Sequence, residues 1–395
     1  MHSELNPYSP GSGLTPPYLV GRQAEIDAFD LVIARSRSRL SSRGIVLHGL
    51  RGVGKTVLLN QFREQAERAE WFVIELEGRS TETGNEAIRQ KLGRGLLLAS
   101  RKLQRTRHAT DAVKEALRTV KSFSLSLGVA SIAIGLEAAP GRADSGQLEV
   151  DFEEVVEDLA PALRETASAF ALFIDEMQDI DPELLVALLA AQHRAGQKGW
   201  PFFIFGAGLP SLPSALSDAR SYAERLFSYR EIGALDAEAA LDALVVPAKR
   251  QGAIFEESAA ETIVDAAGGY PYFLQTYGQT AWEIADSKQI SLTDATAAIA
   301  DGNAELDMGF FPARWDRATP AERHYLRAMA VDGDDGARTG EIASRLDVKP
   351  ASLSPVRQNL IDKGIIYMPE RGRVAFTVPN MAAFIKRQFQ DLDSL

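Results

Sequence analysis

The sequence predicts an α/β fold: a parallel sheet covered by helices on both faces, then a helical lid, then a smaller C-terminal helix-and-hairpin unit. Three observations carry this. Short apolar runs alternate with helical patterns between residues 18 and 233. Only helical patterns follow over 234–304. From residue 319 three helical patterns precede two strands around the turn Glu370-Arg371-Gly372.

The elements follow in order. Residues 1–17 are polar and rich in Pro, Gly and Ser, and are expected as a flexible arm. Ile26, Phe29 and Ile33 recur at helical spacing over 23–39. The run 44–48 is apolar and closed by glycine, as a buried parallel strand is. A helix is predicted over 54–69, and strands over 71–76, 169–174, 201–205 and 229–232. Between the second and third strands, 79–147 reads as an insertion. It begins as basic helical sequence and continues over 122–136 with two period-two stretches, which predict a β-hairpin. The region 305–318 reads as a linker rich in aromatics, and 319–395 as the C-terminal domain.

Composition narrows the chemistry. The 395 residues carry a net charge of −11, which argues against a protein that coats nucleic acid over its whole surface. Residues 89–121 are the exception, with ten Lys and Arg against two Asp and Glu, and form a candidate polyanion surface. With no cysteine, disulfides and thiolate metal sites are excluded, and the five histidines show no metal-ligand spacing. No apolar run reaches the ~18 residues of a membrane span, so a cytoplasmic protein is expected.

Gly49, Leu50, Arg51, Gly52, Val53, Gly54, Lys55 and Thr56 fit G-x-x-x-x-G-K-[ST] without exception, between a predicted strand and a predicted helix. Glycines at these places let backbone N–H groups turn onto phosphates, and the following helix start, with Val57 in its first turn, adds partial positive charge. Lys55 is expected on the β- and γ-phosphates, and Thr56 on Mg²⁺. The apolar run 170–174 ends in Asp175 and Glu176. Asp175 is expected to hold the magnesium shell, and Glu176 to orient and deprotonate an attacking water. A nucleoside tri- or diphosphate with Mg²⁺ is therefore the expected ligand.

These motifs, together with Val20-Gly21-Arg22, Gly269-Tyr270-Pro271 and the C-terminal helix–hairpin order, resemble the AAA+-related P-loop ATPases grouped with Orc1/Cdc6-like proteins and the STAND ATPases, the archaeal-type ATPases in particular. The resemblance covers nearly the whole chain from Tyr18. It implies that the nucleotide is ATP or ADP, that Tyr18, Val20 and Arg22 line the adenine, and that Tyr270 and Pro271 form the lid motif against base or ribose. It implies an arginine finger acting on a neighbouring copy, for which Arg225 is favoured over Arg220 and Arg230. Relatives end the fourth strand in a polar sensor residue; this strand ends in Gly206, Ala207 and Gly208. No side chain there can position water, so slow hydrolysis is expected.

The C-terminal unit resembles a winged helix, with a recognition helix over 351–363. Ser352, Ser354, Arg357, Gln358 and Lys363 are its candidate DNA contacts, and Arg371 and Arg373 those of the wing. Winged helices also dock proteins. The expected function is a slow Mg²⁺-dependent switch ATPase whose nucleotide state sets lid, winged helix and assembly. The alternatives are a DNA-binding ATPase and a nucleotide-stabilised docking scaffold.

Overall fold

The computed structural model describes residues 1–11, 13–79, 81–104, 110–129, 137–334 and 336–388. Its core is a five-stranded parallel sheet of β1 (Gly44–His48), β2 (Phe72–Glu77), β3 (Phe170–Asp175), β4 (Phe202–Gly208) and β5 (Phe227–Glu231), in the order β2-β3-β4-β1-β5. Strand β4 is inserted between β1 and β3, pairing His48 with Gly208 on one side and Ile174 with Gly206 on the other. The phosphate-loop strand and the acidic strand thus end one strand apart. Ligands of open parallel sheets bind beyond these C-terminal strand ends.

Helices cover both faces because the strands are apolar on both. On one face α1 (Gln23–Arg37) and α2 (Lys55–Arg68) pack Phe29, Leu58 and Phe62 against Trp71, Phe173 and Phe205. The Phe29 and Phe62 rings stack at 4.7 Å. Replacing either ring by alanine is expected to cost about 3–5 kcal/mol. The other face carries α3 (Glu82–Gln104), α4 (Asp111–Ser126), α5 (Leu148–Glu165) and α6 (Pro182–Lys198), followed by the short α7 (Leu212–Ala219) and α8 (Ala223–Leu226).

The hairpin predicted over 122–136 is corrected where it is described: residues 122–126 end helix α4, and residues 130–136 lie outside the described residues. Two of the serines that suggested alternation, Ser122 and Ser124, are buried. Ser124 Oγ donates to Gly93 O of α3 at 2.9 Å, and Ser122 Oγ to Ala139 O at 3.1 Å. Helix-to-helix packing, with Gly93 permitting close approach, overrides the local pattern. The basic stretch 89–121 is partly neutralised within the fold: Arg89 is bound by Asp181 and Glu183, and Lys114 by Asp111.

Beyond β5 come α9 (Ala237–Arg250), α10 (Glu257–Ala267), α11 (Pro271–Ile284) and α12 (Leu292–Glu305), with a two-stranded pair β6 (Ile254–Phe255) and β7 (Gln289–Ile290). Ser291 and Asp294 close a capping box at the start of α12. The predicted linker 305–318 is a packed segment, with a π-helical turn Leu306–Phe310 and α13 (Pro312–Trp315). Leu306, Phe311 and Trp315 are buried there, each burial worth roughly 1.5–3 kcal/mol.

The C-terminal region holds α14 (Pro320–Ala330), β8 (Ala337–Arg338), α15 (Thr339–Arg345), α16 (Ser354–Asp362), β9 (Ile366–Glu370), β10 (Arg373–Phe376) and α17 (Met381–Gln388). Its strands form an antiparallel sheet in the order β8-β10-β9. One apolar cluster runs continuously from α9–α12 through Phe311 into α14 and α17. Among the described residues no helix is long and apolar enough to cross a membrane.

The arm 1–17 also departs from expectation: it is fastened to the lid. The Met1 amino group donates to Ala285 O at 2.9 Å, and Trp282 Nε1 to His2 O at 3.0 Å. Tyr8 is buried, its hydroxyl bonded to Leu244 O, its ring against Gly278. One buried aromatic outweighs the surrounding Pro, Gly and Ser.

Candidate nucleotide site

The loop between β1 and α2 is shaped by its glycines. Gly52 and Gly54 have φ of 83° and 91°, which side chains disfavour. Gly54 is the N-cap of α2, which has neither a side-chain cap nor an acid in its first turn. The first N–H groups of a helix have no intrahelical partners, so this helix start is left for an anion. Lys55 Nζ donates to Gly49 O at 3.0 Å and Leu50 O at 2.7 Å. Among the described residues no carboxylate lies within ion-pair distance of it. Burial pulls its ammonium down to about 8, although Glu176 and Asp175 oppose this. A buried ammonium without a carboxylate partner is a ready anion ligand.

Thr56 Oγ1 donates to Asp175 Oδ2 at 2.8 Å, joining the loop helix to the end of β3. Burial raises Asp175 above the usual carboxylate range. Glu176 follows with a φ of 45°, a left-handed conformation that costs a non-glycine residue about 1–3 kcal/mol. Its Oε1 receives Arg51 Nη1 at 2.6 Å and its Oε2 receives Gln178 Nε2 at 2.7 Å. Burial alone would raise Glu176; Arg51, Gln178 and Lys55 together hold it below the ordinary range.

Gln178 answers the expectation drawn from residues 206–208. The β4 end has no polar side chain of its own, but Gln178 fills the place: its Oε1 accepts the N–H of Leu209 at 3.1 Å while its amide holds Glu176. A Cβ on Gly208 would lie 2.3 Å from that Oε1, and one on Gly206 2.4 Å from Met177 Sδ. The glycines therefore admit a polar side chain from the preceding strand's end. A residue two positions past the acidic pair carries no recognisable signal in the sequence.

Above this floor lies a cavity of about 290 Å³. Tyr18, Val20, Arg22, Arg51, Gly52, Val53, Gly54, Lys55, Thr56, Val57, Asp175, Glu176 and Pro271 all line it, so most of the predicted nucleotide residues meet in one place. Gly49 lies beneath the loop, bonded through its N–H to Gly208 O at 3.2 Å. Arg22 Nη2 donates to Gly233 O at 2.6 Å and Val53 O at 3.1 Å, bracing the loop against the segment after β5. The Arg250 guanidinium covers the Tyr18 ring at 4.9 Å.

Tyr270 is corrected. It faces a different cleft, beside Leu50, Tyr367 and Phe376. Tyr272 lines the cavity instead, its N–H bonded to Gly52 O at 3.3 Å. Proline occupies the first position of α11, which makes Tyr270 the N-cap and Tyr272 the second helical residue. The roof is completed by Ser9, Pro10, Gly11, Gly13, Leu14 and Pro16 of the N-terminal segment, and by Phe310 and Arg314. None of these has a motif.

Arg225 stands apart from the cavity. It is exposed, ion-paired to Glu224 at 3.3 Å, and lines a separate cleft of about 430 Å³ with Arg35, Arg43 and Arg230. The C-terminal candidates divide. Ser352 is exposed, and Arg371 stands exposed at the hairpin turn. Gln358 is bonded to Asp362, Arg357 to Ser354, and Arg373 to Glu370. Lys363 departs furthest from a phosphate contact: its Nζ bonds Glu322 at 2.6 Å and Arg317 O at 3.0 Å, because a buried carboxylate there needs a cation. The recognition helix is shorter than predicted, a 3₁₀ turn Pro350–Leu353 preceding α16.

A five-stranded parallel sheet with a strand inserted between phosphate loop and acidic strand, under a helical lid, defines a P-loop ATPase fold. Residues 18–205 match the family described as AAA ATPase domain, so this part of the chain carries an AAA-type P-loop domain. Residues 308–385 match a domain of unknown function (DUF8462). No protein of curated function matches the sequence. Among solved structures, the Walker-type ATPase of Pyrococcus abyssi superposes with a TM-score of 0.60 at 17% identity, covering 93% of this chain and 96% of that one. That likeness shows a shared fold. The Aeropyrum pernix Orc1 protein in complex with DNA (TM-score 0.47, 16% identity, 96% of both chains) and Cdc6p of Pyrobaculum aerophilum (0.47, 14%, 99% and 98%) are more distant.

Proposed function

We propose that the chain is a slow, Mg²⁺-dependent ATP switch whose nucleotide state is passed to the C-terminal region. The single observation behind this is the position of Arg51. Its guanidinium holds Glu176, and its backbone N–H donates to Thr377 O of the C-terminal region at 2.9 Å. The phosphate loop, the proton acceptor and the C-terminal region therefore meet on one residue.

The residues fit the ligand. The open start of α2, the loop glycines and Lys55 suit the phosphates, and Thr56 with Asp175 suits Mg²⁺. Tyr18, Val20 and Pro271 suit the base. Bound ATP with its metal supplies a polarised terminal phosphoryl group. The chain's part is to orient and deprotonate water. Glu176, released from Arg51, accepts the proton, and Gln178 keeps its carboxylate in place. While Arg51 holds Glu176, that carboxylate is engaged and turnover is slow. Freed, Arg51 becomes a cation for the phosphates, and the loop's grip on Thr377 changes with it.

The test is Arg51→Ala. It should raise basal turnover relative to nucleotide affinity and loosen the C-terminal region in hydrogen exchange. Unchanged turnover and exchange would remove the switch reading.

A second reading concerns partners. The order helix, strand, helix, helix, strand, strand supports a winged helix, and exposed Arg371 with Ser352 supports contact with double-stranded DNA. Affinity for a duplex that falls steeply with salt, and falls again in Arg371→Ala, is the expected sign. Exposed Arg225, outside its own chain's nucleotide cavity, supports a role toward a neighbouring copy in a homo-oligomer or toward a protein partner.

A further inference from the structure

The end of the sheet opposite the nucleotide cavity carries arginines without acids. Elsewhere the chain matches its guanidinium groups: Arg142 with Glu154, Glu157 and Asp158, Arg345 with Asp332, and Arg387 with Asp307. By contrast, no Asp or Glu stands between Asp30 and Glu64, and residues 35–43 hold four arginines interleaved with serines. These residues end α1 and turn into β1. Two adjoining clefts open there, sharing Ser41, Ser42, Gln192 and Gly196, beside the N-terminal ends of β1, β4 and β5. Arg35, Arg43 and Arg230 line the first with Arg225, and Arg37, Arg39 and Arg164 line the second; no carboxylate lines either. Among the described residues Arg225 alone of these forms an ion pair, with Glu224. The buried Nε of Arg230 has no hydrogen-bond partner. Two leucines stand exposed in the same clefts, Leu31 at 59% and Leu40 at 52%.

We infer that this end of the molecule docks on the surface of an anionic phospholipid bilayer, with the arginines on headgroup phosphates and Leu31 and Leu40 entering the acyl boundary. This is attachment at a surface, not a span. Like charges gathered without counter-ions repel one another, so the array calls for an anion from outside the chain. Guanidinium forks match phosphate oxygens two at a time. The leucines decide which polyanion fits. A nucleic-acid backbone is held by charge and hydrogen bonds, and gains little from an exposed leucine. A bilayer rewards both, because stable attachment takes an apolar anchor together with a basic patch. Half-buried Trp200 lines the second cleft, and tryptophan is enriched where membrane meets water. Each arginine held at an anionic surface adds roughly fivefold in affinity. The chain as a whole carries −11, so an anionic surface repels its other faces and fixes this one. The nucleotide cavity, at the C-terminal ends of the strands, then faces away from the bilayer and stays open.

The experiment is flotation of the full chain with vesicles of phosphatidylcholine alone, and with vesicles of equal parts phosphatidylcholine and phosphatidylglycerol, at low and high salt. Wild type is compared with the double variant Arg37→Gln, Arg39→Gln, with Leu40→Ser and with Arg371→Ala, and melting curves are taken for each. All four residues are exposed, so the fold is retained. Wild type should float with the mixed vesicles, and far less with phosphatidylcholine alone or at high salt. The double arginine variant should bind the mixed vesicles about tenfold or more weakly, and Leu40→Ser about threefold or more weakly. Arg371→Ala, on the C-terminal hairpin, should float like wild type. Equal binding to both vesicle types would overturn the inference. So would a double variant that loses binding while Leu40→Ser keeps all of it. A DNA duplex or polyglutamate bound more tightly than the vesicles, through the same two arginines, would assign this face to another polyanion and overturn it too.

Discussion

The floor and the roof of the nucleotide cavity are built in opposite ways. The floor comes from two short contiguous stretches, residues 49–56 and Asp175 with Glu176, each at the C-terminal end of a parallel strand. The roof is gathered from the N-terminal segment, Tyr18 to Arg22, the start of α11, and Phe310 with Arg314. The floor works through backbone N–H groups and a helix start, which demand glycines at fixed spacing. The roof needs shape, an apolar surface and a few placed cations, which many sequences provide. Chemistry that depends on backbone geometry is written locally; chemistry that depends on enclosure is not.

The largest expected effect is on the floor. Glu176→Gln should lower turnover about 10²–10⁴-fold, the usual worth of a positioned base, while ATP binding persists. Single-turnover kinetics beside a binding curve would check it. Lys55→Ala should weaken both nucleotides about a hundredfold, measured by calorimetry. An effect on ATP alone would contradict that role in the floor.

Gln178→Ala probes the join between floor and neighbouring strand. It removes the bond that holds Glu176 and leaves the Leu209 N–H unpaired. Turnover should fall about tenfold to a hundredfold through misplacement of Glu176, with KM little changed. A KM effect without a kcat effect would contradict the positioning role.

The roof should respond more gently. Tyr8→Ala frees the N-terminal segment from Leu244 and Gly278. Nucleotide affinity should drop several-fold, roughly 1 kcal/mol, and residues 1–17 should become protease-sensitive. Loss of affinity without that sensitivity would mean that the segment contributes by contact rather than by closure.

The smallest effect lies outside the cavity. Glu322 is buried, accepts the Thr319 N–H at 2.7 Å and binds Lys363. Burial opposes its charge, but Lys363 and the Thr319 N–H prevail and hold it below the usual range. A carboxyl depressed in the folded state stabilises above its unfolded value and loses that contribution as pH falls through the folded one. Thermal stability of wild type should therefore fall on acidification below about pH 4 more than that of Glu322→Gln, which starts lower. Parallel curves would contradict the pairing.

Much of the fold was legible for the same reason as the floor. The sheet strands are apolar on both faces and closed by turn residues, and caps such as Asp236, Ser291 and Thr319 mark helix starts. Misreadings came where contacts are distant in sequence. Ser122 and Ser124 alternate with apolar residues yet belong to a helix whose partners lie in α3 and beyond Gly128. Tyr8 sits in a loop-like stretch but is held by residues 236 or more positions away. The glycines at 206 and 208 suggested a missing polar group, while Gln178 supplies one from the turn after β3. Lys363 was read as a free cation because Glu322, its partner, lies 41 residues earlier.

The most direct test is a crystal structure of the full chain with a non-hydrolysable ATP analogue and Mg²⁺. The account expects the phosphates on the backbone of residues 52–56 and Lys55, the metal on Thr56 with Asp175 beside it, and the Arg51–Glu176 pair opened. A nucleotide bound elsewhere, or one bound in this cavity with Arg51 still holding Glu176 and Thr377 unmoved, would contradict it.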